Sequence, residues 1–323
     1  MREQILRLLK QCNGEFISGE AISEKLGVTR AAIWKHMKAL QQEGVQIEAV
    51  TRKGYRLIAL PQRLQANEIM PLLHTHDLGR NLSTLLEAPS TNMIARELVQ
   101  QGCPHGTVIT AEQQTAGRGR RGRNWSNSPG KDICMSLVLR PKMETQHAPR
   151  FTIGTALGVY RAVSAFGLLP SIKWPNDVLL GPQLKKISGI LLEMEGNLET
   201  LEAIIVGIGL NVNTQSFAPE LVNTASSLMQ EAGRRFDRVE VLTKLLDTLE
   251  PIYDACEDDK GYAQVLSDYR KCCSTLGQSI CVTGIQETFY GVAQDVDALG
   301  RLIVRLKDGS TRIVGAGDVS VRT

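Results

Sequence analysis

The chain reads as an α+β protein in three parts, and three observations predict this. An amino-terminal stretch has helical periodicity and ends in a hairpin. A central stretch alternates short apolar runs with helical segments. A carboxy-terminal stretch consists of short strands separated by turn residues. The expected parts are residues 1–62, 67–272 and 273–323, with Pro61-Gln62-Arg63 as linker and Gln65-Ala66-Asn67 as a new start. A hydrophobic share of 42% and a charged share of 22% exclude a disordered chain and fit a soluble globular one. No run of 18 apolar residues exists, so no membrane span is expected. Met1-Arg2-Glu3-Gln4-Ile5 lacks the apolar core of a signal peptide. The seven cysteines include the adjacent Cys272 and Cys273 and no C-x-x-C, so neither a disulfide framework nor a zinc site is expected, and the compartment expected is the cytoplasm.

The amino-terminal part comes first. Residues 2 to 11 place Ile5, Leu6, Leu8 and Leu9 on one helical face. Ser18 caps a second helix carrying Ala21, Ile22 and Leu26, and Gly27 ends it. Thr29 caps a third, from about Arg30 to Glu43, with Ala32, Ile33, Met37 and Leu40 inward and Arg30, Trp34, Lys35 and Lys38 outward. Gly44-Val45 closes it, and two short strands follow around Arg52-Lys53-Gly54-Tyr55-Arg56. Ten Lys/Arg against six Glu in residues 1–60 leave +4 there, of a chain total of +3, so the basic charge belongs to this part. Two helices joined by a glycine turn, a basic outward face and a charged hairpin tip make a winged helix-turn-helix. Thr29, Arg30, Trp34, Lys35 and Lys38 are the candidates for operator DNA in the groove, and Arg52 and Lys53 for phosphates; Tyr55 and Leu57 pack the hairpin.

In the central part, strands are expected at Val108 to Gln113, Ile133 to Leu139, Ile172 to Trp174, Ile187 to Glu195 and Ala203 to Leu210, with a helix from Phe151 to Phe166. Several strands lie too close for helical crossovers, so the sheet is mixed or antiparallel. Between the first two strands runs Gly117-Arg118-Gly119-Arg120-Arg121-Gly122-Arg123, with Trp125 close behind. It matches G-x-G-x-x-G, but Asn124-Trp125-Ser126-Asn127-Ser128-Pro129-Gly130 follows, which is turn chemistry and not the helix start that a dinucleotide fingerprint needs. The positive charge therefore sits on side chains, and the segment reads as a mobile basic flap over a phosphate-bearing ligand. Asn176-Asp177 after Trp174-Pro175 by itself reads as a turn, Ser90-Thr91-Asn92 as a helix cap, and Lys185 as a surface lysine.

Gln114-Thr115-Ala116-Gly117-Arg118-Gly119-Arg120-Arg121-Gly122-Arg123 with Trp125, Lys173-Trp174-Pro175-Asn176-Asp177, Lys186-Ile187-Ser188-Gly189-Ile190-Leu191, Gly207-Ile208-Gly209-Leu210-Asn211-Val212-Asn213 and, upstream, Ser90-Thr91-Asn92 together resemble the biotin–protein ligases in order and spacing. With the winged module, the whole chain resembles the bifunctional members that also repress biotin synthesis genes. A related fold serves lipoate ligases, which lack this arginine loop. The resemblance implies a biotin/lipoate ligase-type catalytic domain and a carboxy-terminal SH3-like β-barrel. It implies a two-step reaction through biotinyl-5′-AMP, made from biotin and ATP, with transfer to a lysine of biotin carboxyl carrier protein. By the resemblance, Lys186, Arg118 and Arg120 are catalytic. Ser90, Thr91, Asn92, Gln114, Arg118, Gly119, Arg120 and Lys186 meet biotin, and Arg121, Arg123, Trp125, Asp177, Gly189 and Asn211 meet ATP or the adenylate. Mg2+ is expected with ATP, although no carboxylate cluster identifies ligands for it, and no metal-ligating residues are assigned.

A helical stretch from Arg238 to Leu276 leads to strands at Ser279 to Val282, Thr288 to Val296, Leu302 to Leu306 and Thr311 to Val314, with Asp308-Gly309 as a hairpin turn. The resemblance assigns Arg322 only a weak ligand role. It also implies a homodimer when biotinyl-5′-AMP is bound, for which the strand Ile187 to Glu195 is a candidate edge. Three rivals stay open at this level: a ligase whose winged module only braces it, a biotin-sensing regulator without ligase activity, and a lipoate-type acyltransferase.

Overall fold

Two hydroxyls start two of the three amino-terminal helices. The computed structural model describes residues 1–42, 45–59, 63–196, 201–284, 287–315 and 318–321. Within it, Met1–Arg63 and Leu64–Thr323 form separate compact units. The first holds α1 (Arg2–Gln11), α2 (Gly19–Leu26), α3 (Arg30–Gln42), β1 (Gln46–Val50) and β2 (Gly54–Ala59). Ser18 Oγ accepts the Ala21 N–H at 3.0 Å, Gly27 ends α2 at φ 65°, and Thr29 Oγ1 accepts the Ala32 N–H at 3.2 Å. Ile5, Leu9, Ile22, Ile33, Met37 and Leu40 form the core, with Tyr55 and Leu57 packed on it. Ile17 exchanges both backbone hydrogen bonds with Tyr55 at 2.9 Å, which fastens the wing to the helices. This is the winged helix-turn-helix expected; Gly44 and the linker residues Pro61 and Gln62 lie outside the described residues.

The second unit comprises α4 (Ala66–Ile69), β3 (Leu82–Ala88), α5 (Thr91–Gln100), β4 (Thr107–Gln114), β5 (Ile133–Leu139), α6 (Pro149–Ser164), β6 (Ser171–Lys173), β7 (Asp177–Leu180), β8 (Lys185–Gly196), β9 (Leu201–Leu210), α7 (Leu228–Ala232), α8 (Arg238–Cys256), α9 (Asp259–Cys272), β10 (Ser279–Thr283), β11 (Thr288–Val296), β12 (Leu302–Arg305), β13 (Thr311–Val314) and β14 (Asp318–Val321). Seven strands form one mixed sheet in the order β3-β4-β5-β9-β8-β7-β6, in which only β3 and β4 run parallel. Every residue of β5 is buried, because α5 covers one face of the sheet and α6 and α8 the other, so the strand reads as an unbroken apolar run. The last five strands form an antiparallel sheet of the SH3-like kind, ordered β13-β12-β11-β10-β14.

Several expectations are corrected. The helical stretch from Arg238 to Leu276 is two helices, divided where Asp258 turns its carboxylate on the N–H groups of Lys260 and Gly261, both at 2.9 Å. Strands β3, β7 and β14 and the short helices α4 and α7 are additions to the expected elements, and the cap expected at Ser90-Thr91-Asn92 does open a helix, α5. Ser90 occupies the cap position of α5, but its side chain makes no cap bond there. Strand β8 is not an edge along its whole length: β7 pairs with its first part, Lys185 to Gly189, and beyond Ile190 only β9 flanks it among the described residues.

A buried ion pair holds the base of the arginine loop. Arg238, 1% exposed, donates to both Glu112 carboxylate oxygens at 2.8 and 3.1 Å and to the Asp132 carbonyl at 3.0 Å. The Asp132 carboxylate accepts from Ser128 N–H, Thr214 Oγ1 and Val212 N–H at 2.9, 2.7 and 3.0 Å. Burial nevertheless pushes its carboxyl above the usual range. The Asn127 amide clasps β4 from the other side, donating to Glu112 O at 2.8 Å and accepting Gln114 N–H at 3.0 Å. Both ends of the loop therefore sit on rigid strands. Arg238→Met should strand the Glu112 charge and cost about 3–5 kcal/mol of unfolding free energy; denaturant titration measures it.

Candidate functional site

The loop between β4 and β5 folds back on itself as a small hairpin. Trp125 N–H donates to Gly117 O at 2.9 Å and Gly119 N–H to Arg123 O at 2.7 Å. A Cβ on Gly117 would lie 2.4 Å from Trp125 O, so the glycine permits a close backbone approach as well as freedom. The hairpin carries Arg118, Gly119, Arg120, Arg123 and Trp125 to a cavity of about 1060 Å³, which Ser90, Thr91, Asn92, Gln114, Asp177, Lys186, Gly189 and Asn211 also line. Thirteen of the residues singled out in the sequence are thus brought together. Arg121 is not among them: at φ 55° it turns outward, and its Nη1 donates to Thr283 O at 2.9 Å in β10. Arg322 lies outside the described residues.

One wall is cationic. Lys186 opens the β8 run beside β7, which brings its Nζ to 2.7 Å from Asp177 Oδ1, and the same ammonium lies 5.6 Å from the centre of the Trp125 ring. Its backbone is fixed by Thr224 O and Ser226 N–H at 2.8 and 3.0 Å. Arg120 Nη1 donates to Asn176 Oδ1 at 2.9 Å, and Asn176 Nδ2 to Ile190 O at 2.9 Å. The Trp174-Pro175-Asn176 turn that presents these groups is buttressed from beyond the central sheet: Trp174 N–H reaches Thr275 Oγ1 and its Nε1 reaches Gly300 O, both at 2.9 Å.

The opposite wall is polar and close-fitting. Gln114 Oε1 accepts Thr91 N–H at 2.8 Å and lies 3.2 Å from Thr91 Oγ1. Asn92 is 5% exposed, and its amide ends meet Ser136 Oγ at 2.6 Å and Glu193 Oε2 at 2.7 Å. Between the two walls lies the Trp125 indole, flat on β9: a Cβ on Gly209 would come within 2.2 Å of it, and one on Gly189 within 3.0 Å. Burial pushes the Cys134 thiol beside Trp125 and Gln114 up to about 12, so it stays protonated and is no nucleophile. Asn211 holds the next segment through Nδ2 to Ser226 O at 3.0 Å.

Several lining residues escaped the sequence reading. Lys173, Phe217, Leu221 and the segment Ser274 to Leu276 also line the cavity. Lys173 belongs to a recognised motif that gives it no place of its own, while Phe217 and Leu221 sit in an aperiodic turn segment that carries no pattern to find. In the amino-terminal unit, described by itself, Thr29, Arg30, Lys35, Lys38, Arg52 and Lys53 are exposed and Trp34 is 57% exposed. Lys38 Nζ lies 6.0 Å from the Trp34 ring centre, and Arg52 takes a positive φ of 70° at the wing tip.

A mixed sheet with a cation-lined cavity, in one chain with a winged helix-turn-helix, defines an anion-handling enzyme that also carries a DNA-reading module. Matches to known proteins agree with that class. The chain matches the model of an HTH domain at residues 1–56, of the biotin/lipoate A/B protein ligase family at 86–211, and of the biotin protein ligase C terminal domain at 275–322. It is 38% identical over 319 residues to the bifunctional ligase/repressor BirA of Bacillus subtilis (strain 168), covering 98% of this chain and 97% of that protein. It is 31% identical over 314 residues to BirA of Escherichia coli (strain K12), covering 96% and 94%. A solved biotin protein ligase from Aquifex aeolicus in complex with biotin and ATP superposes with a TM-score of 0.64 at 28% identity, covering 75% of this chain and 99% of that one. The chain belongs to the biotin–protein ligases, among the bifunctional ligase/repressors.

Adding a methyl at Gly209 should expel the Trp125 indole from its seat. Gly209→Ala is expected to shift tryptophan emission to longer wavelength and to weaken ligand binding about tenfold or more, the cost of a poorly seated aromatic wall; fluorescence titration reads both.

Proposed function

We infer that the protein is an ATP-dependent biotin–protein ligase and a biotin-responsive repressor. The observation that carries the first half is the convergence of Lys186, Arg118, Arg120 and Arg123 on one cavity whose far wall is neutral and polar. A biotin carboxylate oxygen attacks the α-phosphorus of ATP and pyrophosphate leaves, giving biotinyl-5′-AMP. A lysine amine of biotin carboxyl carrier protein then attacks the acyl carbon and AMP leaves. The first step joins two anions, so positioning and neutralisation dominate. Lys186 bridges carboxylate and α-phosphate, exchanging its Asp177 partner for them, and the guanidiniums of Arg118, Arg120 and Arg123 answer the phosphate charge. Ser90, Thr91 and Gln114 meet the urea of biotin, Gly119 lets the loop backbone close on it, and Trp125 with Gly189 and Gly209 forms the apolar slot. Asn92 holds that wall, and Asn211 borders the nucleoside side. Arg121 acts at one remove, tying the loop to β10. Mg2+ would enter with the nucleotide and would supply further neutralisation of the phosphate charge, and Asp177 is the one carboxylate among the described lining residues.

For the second half, Arg30, Trp34, Lys35 and Lys38 face the operator groove, and Arg52 and Lys53 its phosphates. Thr29 serves chiefly as the helix cap. Repression is proposed to require a homodimer formed when biotinyl-5′-AMP is bound, since one module makes few contacts. The part of β8 beyond Ile190 is the surface proposed for pairing.

Incubation with biotin, ATP, Mg2+ and a carrier domain should add one biotin to that domain, read by mass, and Lys186→Met should slow it about 100-fold or more. No mass shift with the unaltered chain would contradict the ligase reading. Lys35→Ala should weaken operator binding and lower its salt slope by about one while leaving ligation unchanged. Sedimentation with and without biotin and ATP tests the dimer: self-association independent of ligand would contradict the proposed control.

A further inference from the structure

We infer that Glu193 is a positioning residue for biotin, which sets the hydrogen-bond polarity of the Thr91 hydroxyl through Asn92 and Ser136. This rests on the reading of the cavity as a biotin site. Glu193 stands on β8 just beyond the Lys186-to-Leu191 motif, and it does not line the cavity.

The chain of contacts fixes its own direction. A carboxylate only accepts, so the Asn92 atom 2.7 Å from Glu193 Oε2 is the amide nitrogen. The amide oxygen of Asn92 then faces Ser136 Oγ at 2.6 Å, and it too can only accept. Ser136 has one proton, and that proton must lie toward Asn92. The contact of Ser136 Oγ with Thr91 Oγ1 at 2.7 Å is therefore donated by Thr91, whose proton is shared with Gln114 Oε1 at 3.2 Å. Thr91 accordingly keeps its lone pairs for a ligand N–H. Gln114 Oε1 is engaged by Thr91 N–H at 2.8 Å, so Gln114 offers its amide N–H groups. An acceptor beside a donor is the complement of a urea, which presents two N–H groups and one carbonyl.

Two further features show that the arrangement is built. Arg96 grips the other Glu193 oxygen at 3.2 Å and Glu195 at 2.6 Å, so the carboxylate cannot swing away. Gly207 lies under the Asn92 amide, where a Cβ would come 2.3 Å from Oδ1. Ser136 is fully buried and Thr91 and Asn92 nearly so, while Glu193 at the far end of the relay is half-buried. Without the acceptor at position 193, the Asn92 amide is free to turn over. Its nitrogen would then face Ser136, the Ser136 proton would swing to Thr91, and Thr91 would lose acceptor capacity toward the ligand.

The test is a double-mutant cycle on biotin affinity by calorimetry. Glu193→Met should raise the biotin Kd about tenfold, as expected for misorienting one buried hydrogen bond. Thr91→Val should raise it at least as much, and adding Glu193→Met to it should change nothing more. Ser136→Ala, which removes the relay and leaves Glu193 in place, should likewise make the Glu193 substitution silent. An unchanged Kd in Glu193→Met, or effects of Glu193→Met and Thr91→Val that simply multiply, would overturn the proposal. Absence of biotin binding by the unaltered chain would overturn the functional reading and this proposal with it.

Discussion

The proposed reaction must bring two negatively charged groups within bonding distance, and the cations that line this cavity on opposing supports are proposed to meet that constraint. Lys186 comes from a strand end, with its ammonium 2.7 Å from Asp177, while the arginines come from a hairpin loop anchored on β4 and β5. The lysine's backbone is held by Thr224 and Ser226, whereas the guanidiniums are carried by a glycine-paced hairpin. The division suits a reaction in which the carboxylate stays in place and the phosphate charge is redistributed.

The rigidity behind those cations comes from a buried ion pair, a buried carboxylate and a tethered turn. Glu112, Arg238 and Asp132 lock the loop's foundations below the cavity, and Trp174 ties the turn bearing Asn176 and Asp177 to Thr275 and Gly300. The carboxy-terminal part of the chain thus contributes support to the cavity as well as the lining residues Ser274 to Leu276. Glycines at 189, 207 and 209 make the floor: each leaves space that an indole, an ammonium or an amide fills. In the amino-terminal unit the same logic is simpler. Ser18 caps α2 and Thr29 caps α3, whose inner face is apolar and whose outer face is left to cations and Trp34.

Much of this was legible in the sequence because local chemistry and tertiary context agree there. Ser18, Gly27 and Thr29 punctuate helices by their own side chains, and β5 is apolar throughout, so these elements were placed within a residue or two. The misses have physical causes. Strand β3 lies at the edge of the sheet with most of its residues only half-buried, which blurs its alternation. Strand β7 has four residues next to a turn, too short for any period to show. The break at Asp258 hid inside Glu257-Asp258-Asp259, where several acids could cap. Of the site, the residue types were legible from their motifs, but not their directions. Nothing in Arg120-Arg121 says that the first faces the cavity and the second faces Thr283; the positive φ at Arg121 separates them. Likewise Glu193 gains its place from pairing across three strands, which no linear spacing reveals.

Hydrogen exchange across residues 117–125, followed by mass spectrometry, tests the central claim most directly. Added together, biotin and ATP should slow exchange throughout the arginine hairpin while neighbouring β5 stays as protected as before. Exchange in that hairpin that is the same with and without the two substrates would contradict the account.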